Sequence, residues 1–302
     1  MPDAGSRRDL AEIMAERRAL VDAALDGRLP PADEPPLTIH QAMRYSVFAG
    51  GKRLRPMLAL FGCEAVGGTL EDAMPAAVAL EMIHTYSLVH DDLPAMDDDD
   101  FRRGRPTCHK VYGEAVAILA GDALLTQAFR VLADPIATGV PAARRLQIVA
   151  EIATAAGSLG MVGGQTMDIQ AEGETLEPAT LLTLHAKKTG ALLRASLRAG
   201  GLAGGADDAA MACLTGYGER LGLAFQIVDD ILDIEGSSAE MGKATGSDAR
   251  KHKATYPAVF GLEAARRDAA RLLAEAREAV RPLGDGGVVL VALADFVERR
   301  RS

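Results

Sequence analysis

Two aspartate clusters carry the most explicit chemistry in this chain. In HDDLPAMDDDDFRRG (His90–Gly104), Asp91 and Asp92 are followed, after the gap Leu93–Met96, by Asp97 and then by Asp98, Asp99 and Asp100. In QIVDDILD (Gln226–Asp233), an apolar run ends with Asp229, Asp230 and Asp233. Helix positions four apart share a face, so Asp229 and Asp233 are expected to point the same way. Like charges at that spacing cost a helix roughly 0.2–0.5 kcal/mol even in water. Near a core the carboxylates must be protonated or neutralised. Carboxylates are hard oxygen ligands, and no His/Cys set accompanies them, which favours Mg²⁺ or Mn²⁺ over zinc. Mg²⁺ is usually held by one or two carboxylates together with substrate phosphates. Two such clusters facing each other across a helical cavity would hold several ions and a diphosphate. An EF-hand is excluded, because DDDDFRRG lacks its alternating ligands, central glycine and closing glutamate.

Cations stand near the clusters. Gly50-Gly51-Lys52-Arg53-Leu54-Arg55-Pro56 opens a helix, where close backbone approach, Lys52, Arg55 and the positive helix end all suit a phosphate. Arg102 and Arg103 follow the first cluster, and the planar guanidinium fork matches phosphate oxygens. His84 lies about two turns before Asp91 on the same expected helix. Lys187, Lys188, Thr189 and Gly190 fall mid-helix, where Thr-Gly predicts a kink or freed carbonyls. Gln226 is a polar residue on an apolar helix, one turn before Asp230.

Helices must position these groups. Apolar residues recur at three- and four-residue steps. The pattern predicts helices over about 8–25, 38–49, 54–66, 71–92, 111–133, 142–160, 178–199, 207–234, 257–280 and 288–299, with Gly and Pro at the breaks. No strand or hairpin pattern appears. The expectation is one all-α domain spanning residues 1–302, with about the first eight residues flexible. The stretch Gly236–Thr255, rich in Gly, Ser and Lys, reads as a lid loop that brings Lys243 and Lys253 over phosphate.

Composition narrows the function class. The net charge of −9 and pI of about 5.2 argue against bulk attraction to nucleic acid. Cys63, Cys108 and Cys213 show no zinc spacing and read as reduced thiols of a cytoplasmic protein. The N-terminal segment has no apolar signal core, and no uninterrupted apolar run approaches the ~20 residues of a membrane span.

With both clusters in view, the sequence resembles the trans-isoprenyl diphosphate synthases, nearest to bacterial farnesyl diphosphate synthases. HDDLPAMDDDDFRRGRPT resembles the first aspartate-rich motif and FQIVDDILD the second, while GGKRLRP, GGQTMDI (Gly163–Ile169), KTG and TYP (Thr255–Pro257) occur in family order. The resemblance implies an isoprenoid synthase fold, helices around a central catalytic cavity, and a cytoplasmic homodimer. It implies that Asp91, Asp92, Asp97, Asp229 and Asp233 bind three Mg²⁺, with Mn²⁺ as a substitute. Arg102, Lys188, Lys243 and Lys253 would hold the allylic diphosphate. Gly51, Lys52, Arg55, His84 and Arg103 would hold isopentenyl diphosphate. Lys188, Thr189 and Gln226 would serve catalysis, the last two facing the allylic cation. His252 departs from the family pattern, where Gly usually precedes the lysine.

Product length is expected to depend on residue size just upstream of the first motif, at Tyr86 and its neighbour Ser87. Tyr86 lies about 7.5 Å along the helix from Asp91, where a ring could block a growing tail at C15. A smaller residue there would favour C20. The other readings are a C20 synthase, a non-catalytic subunit of a heteromeric synthase, and a terpene cyclase. Complete metal clusters weigh against the subunit. The aspartate-rich second motif and paired basic sites weigh against the cyclase.

Overall fold

A computed structural model describes residues 9–134, 139–173, 176–235 and 255–299. The elements are α1 (Leu10–Asp26), α2 (Leu37–Val47), α3 (Leu54–Glu64), α4 (Leu70–Asp91), β1 (Phe101–Arg102), β2 (Arg105–Pro106), α5 (Cys108–Tyr112), α6 (Glu114–Ala133), α7 (Ala142–Ala156) and α8 (Met161–Gln170). They continue with α9 (Pro178–His185), a π-helical turn (Ala186–Gly190), α10 (Ala191–Gly204), α11 (Asp208–Glu235), α12 (Tyr256–Phe260), α13 (Leu262–Val280), a 3₁₀ turn (Arg281–Gly287) and α14 (Val288–Arg299). The expected flexible N-terminal eight residues lie outside the described residues. So does 236–254, which contains Lys243, His252, Lys253 and nearly all of the expected lid.

Helix starts follow local chemistry. Asp9 caps α1 through the Ala11 N–H, and Thr69 caps α4 through the Asp72 N–H, each satisfying a donor the helix leaves open. Helix α3 is buried from Pro56 to Cys63 and packs between α4 and α10. Helix α10 faces two cores. Leu192, Ala195 and Ala199 join α4, α6 and α7, whereas Leu193 and Leu197 join α3, α11, α13 and α14. Each fully buried leucine contributes about 1.5–3 kcal/mol of apolar transfer, so α10 ties the two halves of the bundle together.

The fold is all-helical, as expected, with four local differences. Phe101–Arg102 pairs antiparallel with Arg105–Pro106, a hairpin whose two-residue strands are too short to show alternation. Its turn residues, Arg103 at φ 53° and Gly104 at φ 75°, adopt the left-handed pair that suits a tight hairpin. The expected helices over 111–133 and 257–280 each divide at a glycine, Gly113 and Gly261. The stretch GGQTMDI, expected outside any helix, lies within α8, and the helix expected over 142–160 stops at Ala156. Finally, α6 and the stretch Ala142–Gln170 are long and apolar enough to cross a membrane by length and composition. The latter meets that test only by running through the turn between α7 and α8, and α6 lays Ala117, Ala120, Leu124 and Ala128 into the core against α4.

Candidate active site

The first aspartate cluster forms where α4 ends. After Pro94 the chain doubles back, and the Asp97 N–H donates to the Asp91 carbonyl at 2.8 Å. The four-residue gap therefore returns Asp97 to the side of Asp91, and the spacing has a geometric purpose. Asp92 is buried, and Arg102 donates to its Oδ1 at 2.7 Å. Burial raises the Asp92 carboxyl above the usual aspartate range, against the pull of Arg102. This carboxylate is short of counter-charge even with an arginine on it. Burial also opposes the Arg102 charge, and the Asp92 bond and charge more than offset that opposition.

Asp98, Asp99 and Asp100, without a role from sequence, take part in the hairpin. The Asp98 N–H bonds the Leu93 carbonyl, the Asp99 carbonyl accepts from Thr107 Oγ1, and Asp100 pairs with Lys110 at 2.7 Å. Asp98, Asp100 and His109 place ligand atoms within 4.8 Å of one another. The two carboxylates are exposed, and Asp100 already has its cation.

The second cluster splits by function. Asp230 is buried and accepts from Gln226 Nε2 and from the Tyr256 backbone N–H, both at 2.8 Å. It ties α11 to α12 as a structural group. Asp229 is half-buried and lines a cleft, while Asp233, one turn on, is buried.

That cleft, about 670 Å³, runs between α1, α3, α4, α11 and α14. Gly51, Lys52, Arg55, His84 and Arg103 all line it, and so do Arg102, Thr189, Gln226 and Asp229. Asp91, Asp92, Asp97, Asp233, Lys188, Tyr86 and Ser87 lie outside its lining. The geometry thus gathers the whole set expected for one diphosphate, along with residues flanking both aspartate motifs. Phe225, Leu293 and Phe296 add an apolar wall, and the two from α14 carried no signal in the sequence.

A clamp holds the basic loop in place. Arg53 is buried, donating from Nε to Asp22 at 2.8 Å, from Nη1 to Glu81 at 2.7 Å and from Nη2 to the Val47 carbonyl at 2.8 Å. Its backbone is left-handed at φ 52°, an uncommon state for a residue with a side chain. The inward turn of Arg53 leaves Lys52 and Arg55 for the cleft. Sequence alone could not say which of three neighbouring cations turns inward. Gly51, at φ 126°, lets the Arg103 guanidinium lie against the loop, and Arg103 Nη1 donates to the Gly50 carbonyl.

The electrostatics call for an anion. Burial, then Arg55, Arg103, Arg102 and Arg53, push His84 well below its ordinary 6.5. Burial first, then Arg103, pull Arg55 down to about 10 against Glu81 and Asp229. Burial also lowers Arg103. Arg55 Nε is buried without a hydrogen-bond partner. Cations that lose charge stability through burial and mutual repulsion regain it when a multivalent anion enters.

The π-helical turn carries Lys188 and Thr189, two of the residues expected to serve catalysis. Its wider winding falls where Thr-Gly predicts a kink or freed carbonyls, and such turns often mark functional sites. Thr189 Oγ1 donates to Gln226 Oε1 at 2.7 Å, linking the turn to α11 and, through Gln226, to Asp230. Lys188 Nζ pairs with Asp168 of α8 at 2.5 Å. Gly164 lets α8 approach the turn, because a Cβ there would lie 2.3 Å from the Lys188 N. Gly164 of GGQTMDI thus serves helix packing, while a Cβ at Gly163 would meet the Ser158 carbonyl at 2.0 Å.

Comparison with known proteins identifies the family. The family pattern described as Polyprenyl synthetase matches residues 36–282. A farnesyl diphosphate synthase of Geobacillus stearothermophilus is 45% identical, covering 96% of this chain and 97% of its own length. A geranylgeranyl diphosphate synthase of Cyanophora paradoxa is also 45% identical, covering 97% of both chains. A crystal structure of an FPP/GFPP synthase from Zymomonas mobilis superposes with a TM-score of 0.85 at 36% identity, covering 96% of this chain and 98% of that one. The chain belongs to the polyprenyl synthetase family. It is a trans-prenyltransferase with prenyl diphosphate substrates, in a family that typically uses Mg²⁺.

Proposed function

We propose that the protein condenses isopentenyl diphosphate with dimethylallyl and then geranyl diphosphate, releasing farnesyl diphosphate (C15). The observation that carries this reading is the cleft that joins Gly51, Lys52, Arg55, His84 and Arg103 to Arg102, Thr189, Gln226 and Asp229. The cation-rich end is the isopentenyl diphosphate subsite. The aspartate side is the allylic subsite, with Asp91, Asp92, Asp97, Asp229 and Asp233 as Mg²⁺ ligands. The residues fit that metal: all five donors are carboxylates, and burial holds the Asp92 carboxyl above its ordinary range despite Arg102. Bound Mg²⁺ would neutralise charge on the leaving diphosphate.

The chain's own residues do the rest. Arg102 keeps Asp92 oriented and has further N–H donors for a diphosphate. Lys188, held by Asp168, adds a cation beside the π-helical turn. Thr189 and Gln226 present oxygen dipoles to the cationic carbon chain. Phe225, Leu293 and Phe296 exclude water beside the reacting groups. Alignment of the isopentenyl double bond with the allylic carbon supplies the orientation term. Lys243 and Lys253 complete the allylic diphosphate site from the Gly236–Thr255 stretch, and two copies of the chain form a cytoplasmic homodimer.

Support for C15 rests on Tyr86, buried on α4 with 7% of its surface exposed. Its phenol is pushed above the ordinary tyrosine range by burial and then by Asp91. Ser87 is half-buried and bonds back to the His84 carbonyl at 2.9 Å. Calorimetry tests the two-subsite reading. Isopentenyl diphosphate should bind without metal, whereas a non-ionising allylic thiolodiphosphate should require Mg²⁺. Equal metal dependence for both ligands would overturn this partition.

A further inference from the structure

Tyr86 and His90 are one turn apart on α4, and their rings meet edge to face, with centroids 5.8 Å apart and planes at 79°. His90 does not rest on α4 alone. Its Nε2 lies 3.0 Å from the Ile118 carbonyl of α6. A carbonyl only accepts, so Nε2 carries a proton and donates it. Beside Ile118 on the same helix, Gly121 leaves room for the imidazole. A Cβ at Gly121 would lie 2.1 Å from His90 Nε2 and 2.5 Å from Cδ2. The ring is therefore held between two elements: Tyr86 of α4 against it, and α6 at its Nε2 end, where the Ile118 carbonyl and the bare backbone of Gly121 meet it.

We propose that His90 is a positioning residue for Tyr86, and that Gly121 permits this by having no side chain. Product length would then be set by Tyr86, His90 and Gly121 together, because the tyrosine stops the tail only in the rotamer that His90 supports. A ring freed from its edge-to-face partner samples other rotamers, and each such excursion opens room for another isoprene unit. The inference rests on the reading of Tyr86 as the length limit.

The test is product analysis from isopentenyl and geranyl diphosphate with Mg²⁺, on the full chain and on Tyr86→Ala, His90→Leu, Gly121→Ala and the Tyr86→Ala/His90→Leu double variant. Leucine keeps bulk at position 90 and removes the ring. Gly121→Ala reaches the same contact from the other helix, should His90→Leu fold poorly. The expected result is a rise of roughly threefold to tenfold in the C20:C15 ratio for His90→Leu and for Gly121→Ala. The double variant should match Tyr86→Ala alone, because His90 acts through the tyrosine. A purely structural role for His90 would lower yield without moving this ratio.

Should Tyr86→Ala lengthen the product while His90→Leu and Gly121→Ala leave the wild-type distribution, the inference fails and the reading of Tyr86 stands. An additive effect in the double variant also overturns it. If Tyr86→Ala itself leaves the product unchanged, the reading of Tyr86 fails and the inference falls with it.

Discussion

The Arg103 guanidinium occupies the space that a side chain at Gly51 would take. A Cβ on Gly51 would lie 2.5 Å from Arg103 Nη1 and 2.8 Å from Cζ. Two residues separated in sequence by α3 and α4 thus form one wall of the cleft. Gly51→Ala should move Arg103 and also strain a backbone that sits at φ 126°. The expected outcome is a rise of about tenfold in KM for isopentenyl diphosphate, equivalent to about 1.4 kcal/mol. The KM for the allylic substrate should change far less. Steady-state kinetics with each substrate varied in turn checks this.

Neighbouring aspartates in the second motif should behave differently. Asp230→Asn keeps a polar group but weakens the bonds to Gln226 and the Tyr256 N–H, and should cost about 1–3 kcal/mol of stability. Asp229→Asn and Asp233→Asn should instead raise the Mg²⁺ concentration needed for half-maximal rate by tenfold or more, on the order of 1.4 kcal/mol in metal binding. Denaturant melts and metal titrations of the three variants separate these roles.

Stability should fall as the solution is acidified. Burial first, with Lys188 adding and Asp168 opposing, lowers His185 from 6.5 to about 4, and His84 is lowered in the same direction. Both rings are neutral in the folded protein, and the unfolded chain takes up protons more readily. The His185 effect is therefore absent above about pH 6.5 and grows as pH falls toward 4, reaching on the order of 3 kcal/mol. Urea midpoints measured between pH 7.5 and 4.5 should decline across that window, and His185→Gln should flatten the decline.

Breaking the clamp should disturb function at a distance. Arg53 and Glu81 form a buried ion pair at 2.7 Å. Glu81→Gln leaves a buried guanidinium short of charge, an imbalance worth about 3–5 kcal/mol when one partner of such a pair is lost. Loss of stability should be accompanied by a higher KM for isopentenyl diphosphate, because Lys52 and Arg55 flank the clamped residue. A Tm measurement paired with kinetics tests both halves.

Much of this architecture is written in local pattern. Apolar periodicity located most helices because their buried faces repeat every three or four residues. A departure from regular winding at Lys188–Gly190 was legible because Thr-Gly is a poor helix interior, and the π-helical turn occurs there. The hairpin after the first motif was not legible, since two-residue strands have no period. Nor was α8, which falls between two expected helices and whose Gly164 finds its use only against Lys188. Arg53, Asp168 and Asp230 were also missed as anchors. Their partners are Glu81, Lys188 and the Tyr256 N–H, and only tertiary packing decides which of several adjacent charges turns inward.

The central claim, a C15-producing prenyltransferase, is tested most directly by the chain length of the wild-type product. Purified protein incubated with Mg²⁺, isopentenyl diphosphate and geranyl diphosphate should release inorganic diphosphate and accumulate farnesyl diphosphate, with synthesis abolished by a chelator. Accumulation of a C20 diphosphate under the same conditions would contradict the assignment of Tyr86 as the limit to growth.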